Sequence, residues 1–207
     1  SLIKYLARGC SRGEWDQLMK SAETANEGHL RDILSHVRSM PTHWSPMAHP
    51  KLRFRITAPI FVARQYVKHQ VGFDWNEISR RYVADEIEFF WPNDWRAQAD
   101  NVKQGSGGAL DPETQEQADD IYASTLDEIE NAYAKLKHIG VCTEQARMIL
   151  PLSLQTTWIM TGSLMGWARV CKQRLDHHAQ EEASELADFI NNHCREHFPV
   201  SWSALME

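Results

Sequence analysis

Residues 64–82 concentrate side chains that can bind a ligand. The segment follows an apolar run and offers amide, basic, carboxylate and hydroxyl groups: Gln65, Lys68, His69, Gln70, Asn76, Glu77, Ser79, Arg80 and Arg81. A helix or strand that enters a core needs one apolar face, so this many donors and acceptors exceeds what folding requires. The mixture suits a ligand with several anionic atoms, because charged donors form strong hydrogen bonds with such groups. We therefore interpret the segment as a binding site.

Two later segments each place a single arginine among apolar or helix-forming residues. Arg147 lies within residues 144–151, and Arg174 begins residues 174–180. A guanidinium presents a planar fork that matches a phosphate or the edge of a base, and it stays charged at any working pH. The residues alone leave a second interpretation open, in which each arginine forms a structural ion pair.

Together these segments resemble one family, the flavin-dependent thymidylate synthases. The hallmark of that family is Arg-His-Arg, seven intervening residues and Ser, where this chain has Lys68-His69-Gln70, eight residues and Ser79. Further motifs stand in the family's order and approximate spacing at residues 58–65, 76–82, 144–151 and 178–180. The resemblance covers residue 43 to the C-terminus, and several motifs in order are more specific than any one alone.

The resemblance implies a binding site for deoxyuridine monophosphate (dUMP). Arg174 is the expected catalytic residue, because its family counterpart contacts the pyrimidine and favours the ionised N3, which activates the ring. Arg147 would help to hold the nucleotide. The other implied dUMP contacts are Gln65, Glu77, Ser79, Arg80 and Arg81. Ser79 is assigned to binding and not to nucleophilic attack, since no Gly-x-Ser-x-Gly elbow surrounds it.

The resemblance also implies a site for FAD. Its expected contacts are His43, Ser45, Lys68, His69, Gln70, Asn76, Glu77, Ser163 and Arg169. Lys68 keeps the charge of the family's arginine without its bidentate fork, and Gln70 loses the charge. The family often has asparagines where this chain has Ser163 and Arg169, although an arginine could bind a flavin phosphate. The alternative for residues 68–70 is a solvated helix end, where Lys and His complement the helix dipole.

The implied activity is the reductive methylation of dUMP to thymidylate. In the family, NADPH reduces bound FAD, 5,10-methylenetetrahydrofolate donates a one-carbon unit to C5, and the reduced flavin completes the reaction. The family assembles shared active sites from several subunits, so a homotetramer is implied. Two alternatives stay open: a related flavin- and folate-dependent dUMP hydroxymethylase, and a catalytically inactive nucleotide-binding homologue.

Size and composition set wider limits. A chain of 207 residues favours a single domain spanning residues 1–207. A net charge of −6 argues against non-specific binding to nucleic acid, which needs a basic surface. The four cysteines form no Cys-x-x-Cys pair, which suits a reducing cytoplasm. No apolar run approaches the ~20 residues of a membrane helix, so no membrane partner is expected.

Hydrophobic periodicity predicts an α+β domain with an antiparallel sheet flanked by helices. We expect strands over residues 52–57, 78–83 and 152–160, and alternation along the second would place Glu77, Ser79 and Arg81 on one face. One interrupted or two short helices are expected over residues 13–38. Further helices are expected from Pro59 toward Lys68, over 113–138, from Thr143 to Pro151, and over 164–175 and 179–197. Residues 101–112, which contain a Gly-rich stretch, are expected to form a mobile loop.

No metal site is predicted. His193 and His197 are four residues apart on a predicted helix and could hold a metal if a third ligand joined them. The chain lacks the His-Glu-x-x-His pattern, and the end of a helix favours a cationic His for structural reasons. We therefore interpret the pair as structural.

Overall fold

The computed structural model describes residues 26, 28, 31, 45–79, 81, 87–99 and 105–207. The helices predicted over residues 13–38 lie almost entirely outside this part of the chain, as do four residues of the loop predicted over 101–112. His43 and Arg80, two predicted site residues, also lie outside it. The prediction of one domain for the whole chain stays a prediction.

Three antiparallel strands form the sheet. They are β1 (Lys51–Pro59), β2 (Phe73–Glu77) and β3 (Gln155–Ser163), in the order β1-β3-β2. Central β3 pairs with β1 from Lys51 opposite Ser163 to Pro59 opposite Gln155, and with β2 from Phe73 opposite Gly162. The segments that carry the predicted site residues are therefore joined through β3.

Six helices in the described residues accompany the sheet. They are α1 (Ile60–Tyr66), α2 (Pro112–His138), α3 (Thr143–Ala146), α4 (Leu164–Arg174), α5 (Glu181–His197) and α6 (Pro199–Met206). Two short 3-10 helices, Ser45–Ala48 and Arg147–Ile149, complete the elements. The N-terminus of α2 is stabilised by Asp111, whose side chain accepts hydrogen bonds from the backbone N–H groups of Glu113 and Thr114. This arrangement confirms the predicted α+β class.

One face of the sheet packs against the helices and forms the core. Phe54 on β1 is buried, whereas its neighbours Arg53 and Arg55 are exposed, as strand alternation requires. Trp158 on β3 and Trp167 on α4 are also buried in this core. Because α1 directly follows β1 and α4 directly follows β3, the core fixes the helices whose ends carry the predicted site.

Several element boundaries differ from the sequence predictions. The strand predicted over 78–83 is wrong for its described residues, because β2 covers Phe73–Glu77 and leaves Ile78, Ser79 and Arg81 outside. The reason lies in packing: the Phe73 ring contacts Trp167 at a centroid distance of 4.7 Å, and Trp75 stacks on Trp158 at 4.8 Å. We attribute the earlier position of the strand to these aromatic contacts. The predicted third strand, over 152–160, likewise lies three residues later as β3, Gln155–Ser163.

The structure contains no helix, among the residues it describes, with the length and apolar character needed to cross a bilayer.

We predict that Gly162→Ala destabilises the fold. A Cβ at this position would overlap the ring of Phe73, which is itself packed against Trp167 and cannot easily withdraw. Overpacking of this kind costs about 1–3 kcal/mol. The free energy of unfolding, measured by urea denaturation, should fall by that amount. Gly108→Ala is the matched control, because a Cβ there meets no atom within 4 Å; equal stability of the two variants would contradict the packing argument.

Candidate active site

The guanidinium of Arg174, the last residue of α4, is held by three hydrogen bonds. Its Nη1 donates to Oε1 of Gln65 at 3.0 Å, and its Nη2 donates to the backbone oxygen of Gln65 at 2.9 Å. Its Nε donates to Nε2 of His69 at 3.2 Å. These bonds fix the plane of the fork and leave further N–H groups of the guanidinium for a ligand. The end of α4 is thereby joined to the end of α1.

His69 accepts this hydrogen bond because its ring is neutral. Burial of the ring, as the largest cause, and the positive charges of Arg174 and Arg169 together lower its pKa from 6.5 to about 4. At neutral pH, Nε2 therefore carries a lone pair and the proton resides on Nδ1. The neighbouring Tyr66 donates its hydroxyl hydrogen to the backbone oxygen of Ala183 at 2.8 Å, which anchors α1 to α5.

A second glutamine supports Gln65. The Nε2 of Gln65 donates to Oε1 of Gln180 at 2.6 Å, so its amide bridges Gln180 and Arg174. Gln180 lies at the N-terminus of α5. No role was predicted for Gln180, although it belongs to the motif at residues 178–180. Its position makes it a residue that orients Gln65.

The Arg174 cavity, as we call it, opens beside this network. It has a volume of about 810 Å³, and its polar lining includes Gln65, Arg96, Ser106, Lys172, Arg174 and Gln180. Arg96 was not predicted as a site residue. It forms salt bridges with Glu181 at 3.0 Å and Glu182 at 2.7 Å, so its charge is already compensated.

A second space, the Arg147 cavity, has a volume of about 520 Å³ and is lined by Glu77, Ser79, Glu144, Arg147, Met148 and Thr156. Glu77 is oriented by Thr156, whose hydroxyl donates to its Oε1 at 2.8 Å. Arg147 donates from Nε to the backbone oxygen of Glu144 at 3.3 Å. Arg81 lies outside this lining and forms a salt bridge with Glu144 at 3.2 Å.

The predicted dUMP contacts thus fall into two groups within one chain. Gln65 and Arg174 line the Arg174 cavity, whereas Glu77, Ser79 and Arg147 line the Arg147 cavity. No residue in the described part of the chain lines both. Arg147 and Arg174, both implied dUMP contacts, therefore line different cavities within a single chain.

The predicted flavin contacts lie in several places. Lys68 and Gln70 are exposed on either side of His69. The charge of Arg169 on α4 contributes to the lowered pKa of His69. Asn76 is exposed and lines a further cavity of about 320 Å³ together with Glu77 and Arg55. Ser45 is exposed at the start of its 3-10 helix.

Ser163 has a structural role that the sequence analysis missed. It is buried, and its hydroxyl accepts a hydrogen bond from the backbone N–H of Gly166 at 3.1 Å, which caps the N-terminus of α4. The strand-to-helix junction was the available signal, because serine is a preferred residue at that position. The hydroxyl is directed at its own helix, so Ser163 is the predicted flavin contact with the least support.

The remaining donors fit an anionic cofactor. Lys68 adjoins His69 in the chain and the charge of Arg169 acts on its ring, and across the described ranges neither cation forms a salt bridge with a carboxylate. Positive side chains without a protein counter-ion are suited to phosphate groups. The residues present are therefore compatible with the diphosphate of FAD.

Comparison with known proteins agrees with this chemistry. The family model described as "Thymidylate synthase complementing protein" matches residues 1–200. The flavin-dependent thymidylate synthase of Thermus thermophilus is 38% identical over 165 residues, which are 80% of this chain and 60% of that protein. The enzyme of the same name from Thermosipho africanus is 32% identical over 165 residues, or 80% of this chain and 72% of the relative. The chain thus spans less than two thirds of the Thermus protein.

A solved structure shares the fold. It is the UMP/dUMP methylase PolB from Streptomyces cacaoi bound with 5-Br UMP, with a TM-score of 0.77 and 21% sequence identity. The match covers 90% of this chain and 86% of PolB. The family model and the sequence relatives go further than the fold, and they establish that the chain belongs to the flavin-dependent thymidylate synthase family.

Proposed function

We propose that the protein catalyses reductive methylation of dUMP to thymidylate, with FAD, NADPH and 5,10-methylenetetrahydrofolate. The observation that carries this proposal is the Arg174 guanidinium, which neutral groups hold at the edge of a large cavity. Membership of the family gives the reaction class, and the local chemistry agrees with it. A cytoplasmic location, expected from the cysteine pattern, belongs to the same proposal.

Arg174 would act on the pyrimidine through its charge. A fixed positive charge next to N3 favours the ionised form of that nitrogen, because an opposite charge within a few ångströms stabilises an anion. Electron density in the ring then rises, and C5 becomes a better nucleophile. Since the fork is oriented before the substrate arrives, little reorganisation is needed at the moment of reaction.

Lys68, Gln70 and Arg169 would bind FAD through its phosphate and ring-edge oxygens, with Asn76, Glu77 and Ser45 as further contacts from the same prediction. Bound FAD supplies the reducing equivalents that it receives from NADPH. Neutral His69 would keep Arg174 in place without adding a second positive charge near the pyrimidine. His43 and Arg80 keep their predicted roles in this proposal, as ligands of FAD and dUMP.

The two cavities would become one site when subunits associate. Arg147, Glu77 and Ser79 of one subunit would face Arg174 of another, which is consistent with the homotetramer implied by the resemblance. The rim of the Arg147 cavity supports this, because Met148 is 79% exposed and Ile78 is 43% exposed there. Exposed apolar groups clustered beside a polar cavity mark a surface for association.

The product of the reaction tests the activity. We expect purified protein incubated with dUMP, methylenetetrahydrofolate and NADPH to yield thymidylate by mass spectrometry, with a flavin absorbance band in the protein. The altered Lys68-His69-Gln70 segment motivates one alternative, in which the product is 5-hydroxymethyl-dUMP. A hydroxymethyl product without thymidylate would favour that alternative. A flavin that dUMP and folate fail to reoxidise, with no product, would favour an inactive homologue.

Complementation between inactive variants tests the shared site. Arg147→Ala and Arg174→Ala should each be inactive alone, because each removes one arginine from every site. Co-expressed in equal amounts with different tags, they should recover up to about a quarter of wild-type activity, since about half of randomly formed pairs are mixed and one of the two sites in a mixed pair keeps both arginines. Two differently tagged Arg174→Ala chains are the control and should stay inactive. Failure of the mixed pair to recover activity would mean that each site is built within one chain.

The pKa of His69 predicts a pH dependence of stability. Because its pKa is lowered from 6.5 to about 4, the unfolded chain binds more protons than the folded chain between these values. The free energy of unfolding should therefore fall as pH decreases from 6.5 toward 4. In His69→Gln, which keeps an acceptor for Arg174 but does not titrate, urea denaturation should show a smaller fall. Parallel pH profiles for the two proteins would refute a neutral, half-buried His69.

A further inference from the structure

The last two turns of α5 carry three metal-ligand side chains on one face. His193, Glu196 and His197 are three and four residues apart, a spacing that brings side chains together on a helix. One ligand atom from each lies within 4.8 Å of the others. Glu196 is thus a third potential ligand beside the histidine pair.

The tautomer of His197 suits metal binding. Its Nδ1 lies 3.0 Å from the backbone oxygen of His193, and a carbonyl oxygen can only accept, so Nδ1 carries the proton. In the neutral ring, Nε2 then carries the lone pair. Metal-binding histidines commonly donate their other ring N–H to a backbone carbonyl, which fixes the ring and raises its basicity.

The ring of His193 is held by aromatic neighbours. It lies edge-to-face against Phe54 of β1 at a centroid distance of 5.3 Å, and parallel to Phe189 at 6.4 Å. The rings of His193 and His197 are 4.1 Å apart. Since the ring is half-buried and packed on the sheet, ordering it for a ligand costs little conformational entropy.

The local charges favour a cation. The cluster lies at the C-terminus of α5, where the helix dipole is negative. Over the described ranges, no lysine or arginine forms a salt bridge with Glu196. The adjacent Arg195 donates instead to Asn192 at 3.4 Å. The carboxylate is therefore available to a metal.

We propose that His193, Glu196 and His197, the α5 cluster, bind one divalent transition-metal ion of the Zn²⁺ type. Two imidazoles and a carboxylate match Zn²⁺, which takes such ligands at about 2.0–2.2 Å and accepts water as a fourth. Small rotations of the exposed Glu196 and His197 side chains would bring the three ligand atoms close enough together to bind one ion. None of the three residues lines the Arg174 or Arg147 cavity, and we assign the ion a role in stability. Bound metal would cross-link the last turns of α5.

Calorimetric titration of the metal-stripped full-length protein with ZnCl2 tests the proposal. We expect saturable binding that His197→Asn weakens roughly 10–100-fold, at least as much as the loss of a supporting residue around a metal. Glu196→Gln should weaken it less, because an amide oxygen can still ligate. Zn²⁺ should also raise Tm in the wild type, whereas Mg²⁺ and Ca²⁺ should not, because they prefer all-oxygen sites.

A matched variant separates this cluster from another exposed group. Asp176, His177 and His178 also bring three ligand atoms within 4.8 Å of one another. His177→Asn removes one of them and should keep the Zn²⁺ binding that His197→Asn loses. Absence of saturable binding in the wild type would overturn the proposal, as would binding that survives His197→Asn or an equal Tm response to Mg²⁺.

Discussion

The candidate site depends on the hydrogen bonds that join Arg174 to the end of α1. A single residue, Gln65, accepts two of the three hydrogen bonds, through its side chain and its backbone. The third goes to His69, which can accept it only because burial keeps the ring neutral. The catalytic proposal for Arg174 therefore depends on the position of α1. The hydrogen bond from the Tyr66 hydroxyl of α1 to Ala183 of α5 helps to hold that position.

The central strand explains why these distant segments meet. β3 pairs with both β1 and β2, and the helices at the site continue from β1 as α1 and from β3 as α4. Close packing of Phe73 over Gly162 sets the approach of β2, and Ser163 then ends the strand and caps α4. A small sheet is sufficient here because the helices that carry Gln65 and Arg174 follow β1 and β3 directly.

The sequence predicted the regular elements best and the site geometry least. The predicted bounds of α2, α4 and α5 lie within two residues of the observed ones. Periodicity misplaced β2, because the contacts of Trp75 with Trp158 and Phe73 with Trp167 join residues far apart in the chain. Motif order identified Arg147 and Arg174 together, but order along a chain does not reveal that they line different cavities. Gln180 was missed for the same reason: its role exists only in contact with Gln65.

The neutral hydrogen-bond partners of Arg174 have a consequence for solution conditions. An arginine tied to a carboxylate must give up that ion pair to bind an anion, whereas glutamine and neutral histidine leave the full charge directed at the ligand. Within the described residues, this guanidinium has no salt-bridge partner. Attraction of a nucleotide toward such a charge acts over a Debye length, about 8 Å at physiological ionic strength, and shortens as electrolyte is added. Capture of the proposed nucleotide substrate, more than stability of the fold, is then the property that we expect to be most sensitive to ionic strength.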